Sequence, residues 1–365
     1  MQLPVGGDRM TDYRLRDLKL EINRRCPLHC LHCSSNGMPG ATETLNPQKV
    51  CELIEEFARL GGETLCISGG EPLCYEDLPF LIERSCRMNL NVSLYTTGLT
   101  RNGGLPKPIS DKTAHLLAES GIRVVFSLHG ARAKTHDALT QASGSFEATM
   151  VAIEKVTNLG VQVEVHVVPT AINYQELPEI TRLASSLAIK KVSWLRFVPQ
   201  GRGSVNRRLL ELSGEQLRDL ALKKLQLQEG FPEVHIRTGA PFNILCPDSP
   251  ASCEAGVSVL TIGPDGSVSP CDAFKRFQFA DGFGSVLRHS LPEVWRKSHI
   301  LNAVRSLRES QSNSECASCR LYSRCGSGCL AQKAIAAGAL TNRRDPECLL
   351  GVEAVRDELK AITVC

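Results

Sequence analysis

Cys26, Cys30 and Cys33, in the run CPLHCLHC, form a C-x3-C-x2-C triplet just after a strand-like stretch, Leu18 to Ile22. Three thiolates at this spacing can hold three corners of a four-iron cluster, whereas such clusters usually take four cysteines. The fourth iron would be left open for another molecule to ligate. His29 and His32 within the same run keep a zinc knuckle, or a set of buried thiols, as the competing reading. A second group, Ser68-Gly69-Gly70-Glu71-Pro72, follows the short apolar strand Thr64 to Ile67. Paired glycines let a ligand approach the backbone closely, and an adjacent acid can accept a hydrogen bond from an ammonium group. Taken alone, the same five residues are an ordinary turn.

A third group lies toward the C terminus: Cys246, Cys253 and Cys271, then Cys316, Cys319, Cys325 and Cys329, and finally Cys348. Disulfides or a pair of zinc ribbons are the alternatives for such an array. Zinc ribbons need paired C-x2-C units, and this array contains one. No secretory signal places the chain in an oxidising compartment. Cys51, Cys66, Cys74 and Cys86 are expected to behave as small buried hydrophobes, and Cys365 carries no reading.

The triplet and the SGGEP run together resemble the radical S-adenosylmethionine (radical SAM) superfamily, in which SAM occupies the open iron. The eight later cysteines, with Gly266 between Cys253 and Cys271, resemble its SPASM extension. The resemblance implies three [4Fe–4S] clusters and SAM as cofactors. It assigns Cys246, Cys253, Cys271 and Cys329 to one auxiliary cluster and Cys316, Cys319, Cys325 and Cys348 to the other. It places the backbone of Gly69, Gly70 and Glu71 against the methionine amino group of SAM, Ser127 against its ribose or carboxylate, and Leu195 against its adenine. In the superfamily the reduced cluster cleaves SAM to methionine and a 5′-deoxyadenosyl radical, which removes a hydrogen atom from an unactivated carbon. Two departures stand out. His32 occupies the place where relatives often carry an aromatic residue, and an imidazole can also stack on adenine. Thr140 stands where relatives often read arginine in HDxxR, so it is given no role at the site. Asp272 is expected to act as general base, as an aspartate does at this place in sulfatase-maturing relatives; the competing reading is a carboxylate capping a turn.

The elements that must position these groups are legible as alternation. From Leu18 to Val198 short apolar runs alternate with amphipathic stretches, the signature of consecutive βα units around a parallel sheet. Strands are expected near Leu18–Ile22, Thr64–Ile67, Asn91–Thr96, Arg123–Leu128, Gln162–Val168 and Lys191–Phe197. Six units fall short of the eight that close a full barrel. The fold class is therefore α/β, a partial (β/α)6 TIM-like barrel over residues 15–230, with a lateral mouth for a large substrate. A C-terminal iron–sulfur (SPASM) domain with a small core follows over residues 231–365, opening with a hairpin around Gly263-Pro264-Asp265-Gly266.

With 42 basic and 39 acidic side chains, the chain has no basic excess to mark a nucleic-acid partner. No apolar run approaches the roughly 18 residues of a membrane span. A cytoplasmic, oxygen-sensitive enzyme is expected. His129, His136 and His166 lie near strand ends and are read as structural; Arg202, Arg207 and Arg208 are read as a solvated basic loop. The resemblance implies oxidative modification of a peptide or protein side chain, forming a crosslink, thioether or aldehyde. A dehydrogenase or decarboxylase acting on a sugar alcohol or porphyrin is the alternative. About twenty residues precede the first strand, so a peptide would need a separate leader-binding protein or a motif read by the barrel. Ferredoxin or flavodoxin is the expected electron donor.

Overall fold

A computed structural model describes residues 13–101, 104–240, 242, 253–275, 277, 283–310 and 316–348. Six parallel strands form the expected series: β1 (Asp17–Glu21), β2 (Thr64–Ser68), β3 (Asn91–Thr96), then, after a small hairpin of β4 (Leu99–Arg101) and β5 (Pro106–Pro108), β6 (Arg123–Ser127), β7 (Val163–Val167) and β8 (Lys191–Trp194). Helices α1 (Pro47–Arg59), α2 (Leu78–Arg87), α3 (Asp111–Glu119), α4 (Ala133–Thr140), α5 (Ser145–Asn158) and α6 (Leu177–Ser186) fill the crossovers. Their starts follow local chemistry. Asn46 accepts from the Gln48 N–H ahead of Pro47, and Ser110 accepts from the Thr113 N–H.

The sheet does not stop at the sixth strand. β9 (His235–Thr238) adds in parallel to β8, and β10 (Val259–Ile262) adds in parallel to β1, with Asp17 opposite Val259 and Leu20 opposite Ile262. β11 (Val268–Ser269) closes the expected hairpin against β10. The resulting order is β11-β10-β1-β2-β3-β6-β7-β8-β9. Residues beyond 230 thus extend both edges of the barrel sheet.

Successive strand residues point to opposite faces, and the two faces differ sharply here. Leu18, Leu20, Leu65, Ile67, Leu94, Val124, Phe126, Val165 and Val192 face the helices and are fully or almost fully buried. The alternate positions, Lys19, Glu21, Cys66, Tyr95, Ser127, Glu164, His166 and Ser193, are polar and line the concave face. The Lys19 ammonium lies 4.7 Å from the centre of the Tyr95 ring, whose edge meets His166 at 5.2 Å. Side chains from β1, β3 and β7 converge in this way because the sheet curls. A second, smaller core of Ala255, Phe274, Ile300, Val304, Leu330, Ala331 and Ala334 packs against Cys253, Cys271 and Cys329.

Candidate active site

The first cysteine loop is pinned from three sides. The Cys26 N–H donates to Met38, the His29 and Leu31 N–H groups donate to the last carbonyls of α4 at Thr140 and Leu139, and Cys33 donates back to Cys30. Arg202 closes the fourth side. Its Nε donates to the Cys30 carbonyl at 2.9 Å, its Nη2 to the Gly37 carbonyl at 2.6 Å, and its backbone N–H to Cys33. The reading of Arg202 as part of a solvated loop is therefore corrected: it clamps the loop. Arg207, exposed and paired with Glu211, does match that reading. Burial, then the neighbouring Cys33, pushes the Cys30 thiol up to about 12. Cys26 is raised well above the usual range by burial and then by Cys30. The three thiols are thus close neighbours. Among the described residues, no three Cys, His, Asp or Glu side chains close around a single metal ion.

The paired glycines pack against the segment leading into Cys26. Gly70 N–H donates to Asn23 at 2.7 Å and Glu71 N–H to Arg25 at 2.8 Å. A Cβ on Gly70 would stand 2.4 Å from the Arg24 carbonyl oxygen and 2.5 Å from that of Arg25. Both obstacles are backbone and cannot swing away. Gly70→Ala should therefore cost about 1–3 kcal/mol in unfolding free energy and weaken SAM binding, measured by denaturation and equilibrium dialysis. The Glu71 side chain departs from expectation. Its fully buried carboxylate accepts from the hydroxyls of Thr96 and Thr97 and from the N–H groups of Leu73 and Thr97. With those four bonds it braces the end of β2 against the turn after β3, and it is the backbone of the motif that remains for a ligand.

Ser127 ends β6 with a half-buried hydroxyl that makes no hydrogen bond among the described residues, and Leu195 follows β8, half-buried. Near the cysteine loop, His32 meets His129 edge-on at 4.2 Å, and His136 lies 6.0 Å beyond. Burial is the main cause that lowers all three; His32 and His136 fall to about 4. Nδ1 of His32, Nδ1 of His129 and Nε2 of His136 are buried without a partner among the described residues. Such orphaned groups are uncommon and ask for a ligand. Thr140 is buried against Ser145, and Asp137 caps α5 through Gly144, Ser145 and Phe146, so neither replaces the missing arginine.

The later cysteines fall into two groups by mutual influence. Burial raises Cys271 well above its usual value, and then Cys329 and Cys253 add to it. Burial raises Cys325 to about 11, with Cys348 next and Cys316 further down. Cys319 follows within one turn, its N–H donating to the Cys316 carbonyl. Cys246 lies outside the described residues. Of the remaining thiols, Cys66 faces the concave side beside the Tyr95 hydroxyl rather than filling the apolar core.

Asp272 meets Lys19 at 2.6 Å, and Lys275 and Thr261 at 3.3 Å. Burial works to raise its carboxyl, but Lys19 and then Lys275 outweigh that and hold it well below the usual range. Lys275 also pairs with Glu21 at 2.6 Å and donates to Ser35 at 3.1 Å, tying the Cys271 segment to the loop just past Cys33. Through these ion pairs Asp272 ties the Cys271 segment to β1.

The Radical SAM superfamily profile matches residues 20–184, and that of the iron–sulfur cluster-binding SPASM domain matches 253–320. Mycofactocin maturase MftC of Mycolicibacterium smegmatis is 30% identical over 92% of this chain and 82% of its own length. The chain belongs to the radical SAM superfamily and carries a SPASM domain. PqqA peptide cyclase of Methylocella silvestris is 26% identical, over 94% of this chain and 90% of its own. The crystal structure of Streptococcus suis SuiB bound to precursor peptide SuiA superposes with a TM-score of 0.74 at 19% identity, over 92% of this chain and 76% of that one, and shares the fold. As a radical SAM enzyme the chain uses [4Fe–4S] clusters and SAM. Clustered free thiols, glycines at backbone contact and orphaned imidazole nitrogens beside the loop all suit those groups.

Proposed function

We propose that this enzyme oxidatively modifies a side chain of a peptide or protein, forming a crosslink, thioether or aldehyde. The observation that carries the reading is the 30% identity to a maturase across 92% of the chain, joined by similarity to a peptide cyclase. Cys26, Cys30 and Cys33 would hold the SAM-binding cluster. Gly69, Gly70 and the Glu71 backbone, Ser127 and Leu195 would contact SAM, with His32 and His129 beside its adenine. Cys246, Cys253, Cys271 and Cys329 would hold one auxiliary cluster, and Cys316, Cys319, Cys325 and Cys348 the other. When bound, the SAM-binding cluster and SAM supply a carbon radical able to take a hydrogen atom from the substrate. Around them, Arg202 holds the cysteine loop shut, Glu71 fixes the glycine turn, and the Asp272–Lys275–Glu21 strap sets the auxiliary segment against β1.

The described cysteines are all free thiols, which suits the reducing cytoplasm, and no helix among the described residues is long and apolar enough to cross a membrane. A ferredoxin or flavodoxin would deliver electrons, and either a separate leader-binding protein or a sequence motif read by the barrel would select the peptide. Anaerobic incubation of reconstituted enzyme, SAM and reductant with any short peptide found encoded beside its gene should lower the mass of its peptide substrate by two hydrogens. Steady 5′-deoxyadenosine release with an unchanged peptide would instead favour a small-molecule substrate.

A further inference from the structure

We propose that His166, oriented by Glu164, is the group that accepts the proton lost by the substrate during its oxidation. The inference rests on the peptide-oxidation reading. His166 lies on the concave face of β7, opposite Ser127 of β6 on one side and Ser193 of β8 on the other. It therefore stands between Ser127 and the strand that runs into Leu195, the two places assigned to SAM.

The dyad is built as a base requires. His166 Nε2 lies 2.8 Å from Glu164 Oε1, and Glu164 is itself fixed by the Ser193 hydroxyl at 2.6 Å and by Lys191 at 3.0 Å. A carboxylate can only accept, so Nε2 carries the proton and Nδ1 keeps its lone pair. Among the described residues Nδ1 makes no hydrogen bond, and the ring sits on the concave face between Ser127 and Ser193. Burial lowers the His166 pKa, partly opposed by Glu164. Tyr95 from β3, Lys19 from β1, Arg237 from β9 and His129 after β6 also face it. The imidazole is thus neutral and ready to accept at neutral pH.

The step balances. One hydrogen atom leaves the substrate for the 5′-deoxyadenosyl radical. The substrate radical would then give one proton to Nδ1 and one electron to an oxidised auxiliary [4Fe–4S] cluster, which Cys253, Cys271 and Cys329 would help to hold, so the product lacks two hydrogens.

The test uses reconstituted holoenzyme with SAM and the gene-adjacent peptide. For His166→Gln, the ratio of oxidised peptide to 5′-deoxyadenosine should fall about 100-fold or more, with iron content and SAM affinity within about twofold of wild type. Glu164→Gln, which loses only the orienting carboxylate, should give a smaller fall in the same ratio. Diethylpyrocarbonate mapping of the wild-type holoenzyme should label His166 and show protection by the peptide. An unchanged ratio in both variants, a loss confined to SAM affinity, or labelling that the peptide does not suppress would each overturn the proposal. Should His166→Gln fail to retain iron, the Glu164→Gln ratio and the labelling decide. Wild-type turnover of the peptide tests the peptide reading, whereas the variant-to-wild-type ratio tests His166 alone.

Discussion

Cys26→Ala should abolish 5′-deoxyadenosine formation while removing about four irons per chain, the content of one cluster. Cys30 and Cys33 both add to the burial that raises the Cys26 thiol, and Cys33 adds to that of Cys30; the loop they share is fastened by Arg202 and by the end of α4. Two remaining thiolates cannot retain a cluster that already lacks its fourth protein ligand. The auxiliary cysteines, grouped separately, should keep their iron. Cys86→Ala is the matched control, since that half-buried thiol only approaches the Ser120 carbonyl, and it should leave both quantities unchanged. Iron analysis, with chromatographic assay of 5′-deoxyadenosine under reducing anaerobic conditions, reads the result.

Arg196→Met should destabilise the protein by about 3–5 kcal/mol, the usual consequence of removing one partner from a buried ion pair. Arg196 leaves β8 and grips Asp345 through two bonds of 2.6 and 2.7 Å, with Glu347 at 2.7 Å. The Arg196 and Asp345 side chains are 9% and 2% exposed, so the methionine variant would strand two carboxylates away from water. Asp345 also accepts from the N–H of Cys329 and, through its backbone carbonyl, from that of Cys348. One thiol from each auxiliary group therefore depends on the same anchor. Both auxiliary clusters should lose occupancy, and oxidised peptide should fall more than 5′-deoxyadenosine. Asp345→Asn on top of Arg196→Met should recover part of the stability by removing a stranded charge, which chemical denaturation would detect.

What the sequence shows well is what neighbours dictate. The six βα units, the cysteine spacing and the SGGEP turn are local patterns, and each strand was recognisable from its alternation. The pairing of β10 with β1 was not, because Asp17 meets Val259 only after the whole barrel has formed. Glu71 reads as a ligand acid until Thr96 and Thr97 arrive from another strand to occupy it. Arg202 stands near two exposed arginines, and its partners are carbonyl oxygens, which no sequence pattern marks. Asp272 reads as a base because it follows Cys271; its ion pair with Lys19 of β1 joins segments far apart in the chain, which no local pattern marks. His166 and Glu164 alternate on one strand, yet the chain alone does not show that Lys191 and Ser193 fix the carboxylate from the next.

The most direct test of the account is to follow hydrogen itself. The gene-adjacent peptide, made with deuterium on its side-chain carbons, is incubated anaerobically with the reconstituted enzyme, SAM and reductant, and the 5′-deoxyadenosine is weighed by mass spectrometry. The account predicts 5′-deoxyadenosine one deuterium heavier, formed together with a peptide that has lost two hydrogens. Unlabelled 5′-deoxyadenosine beside an intact peptide would contradict it.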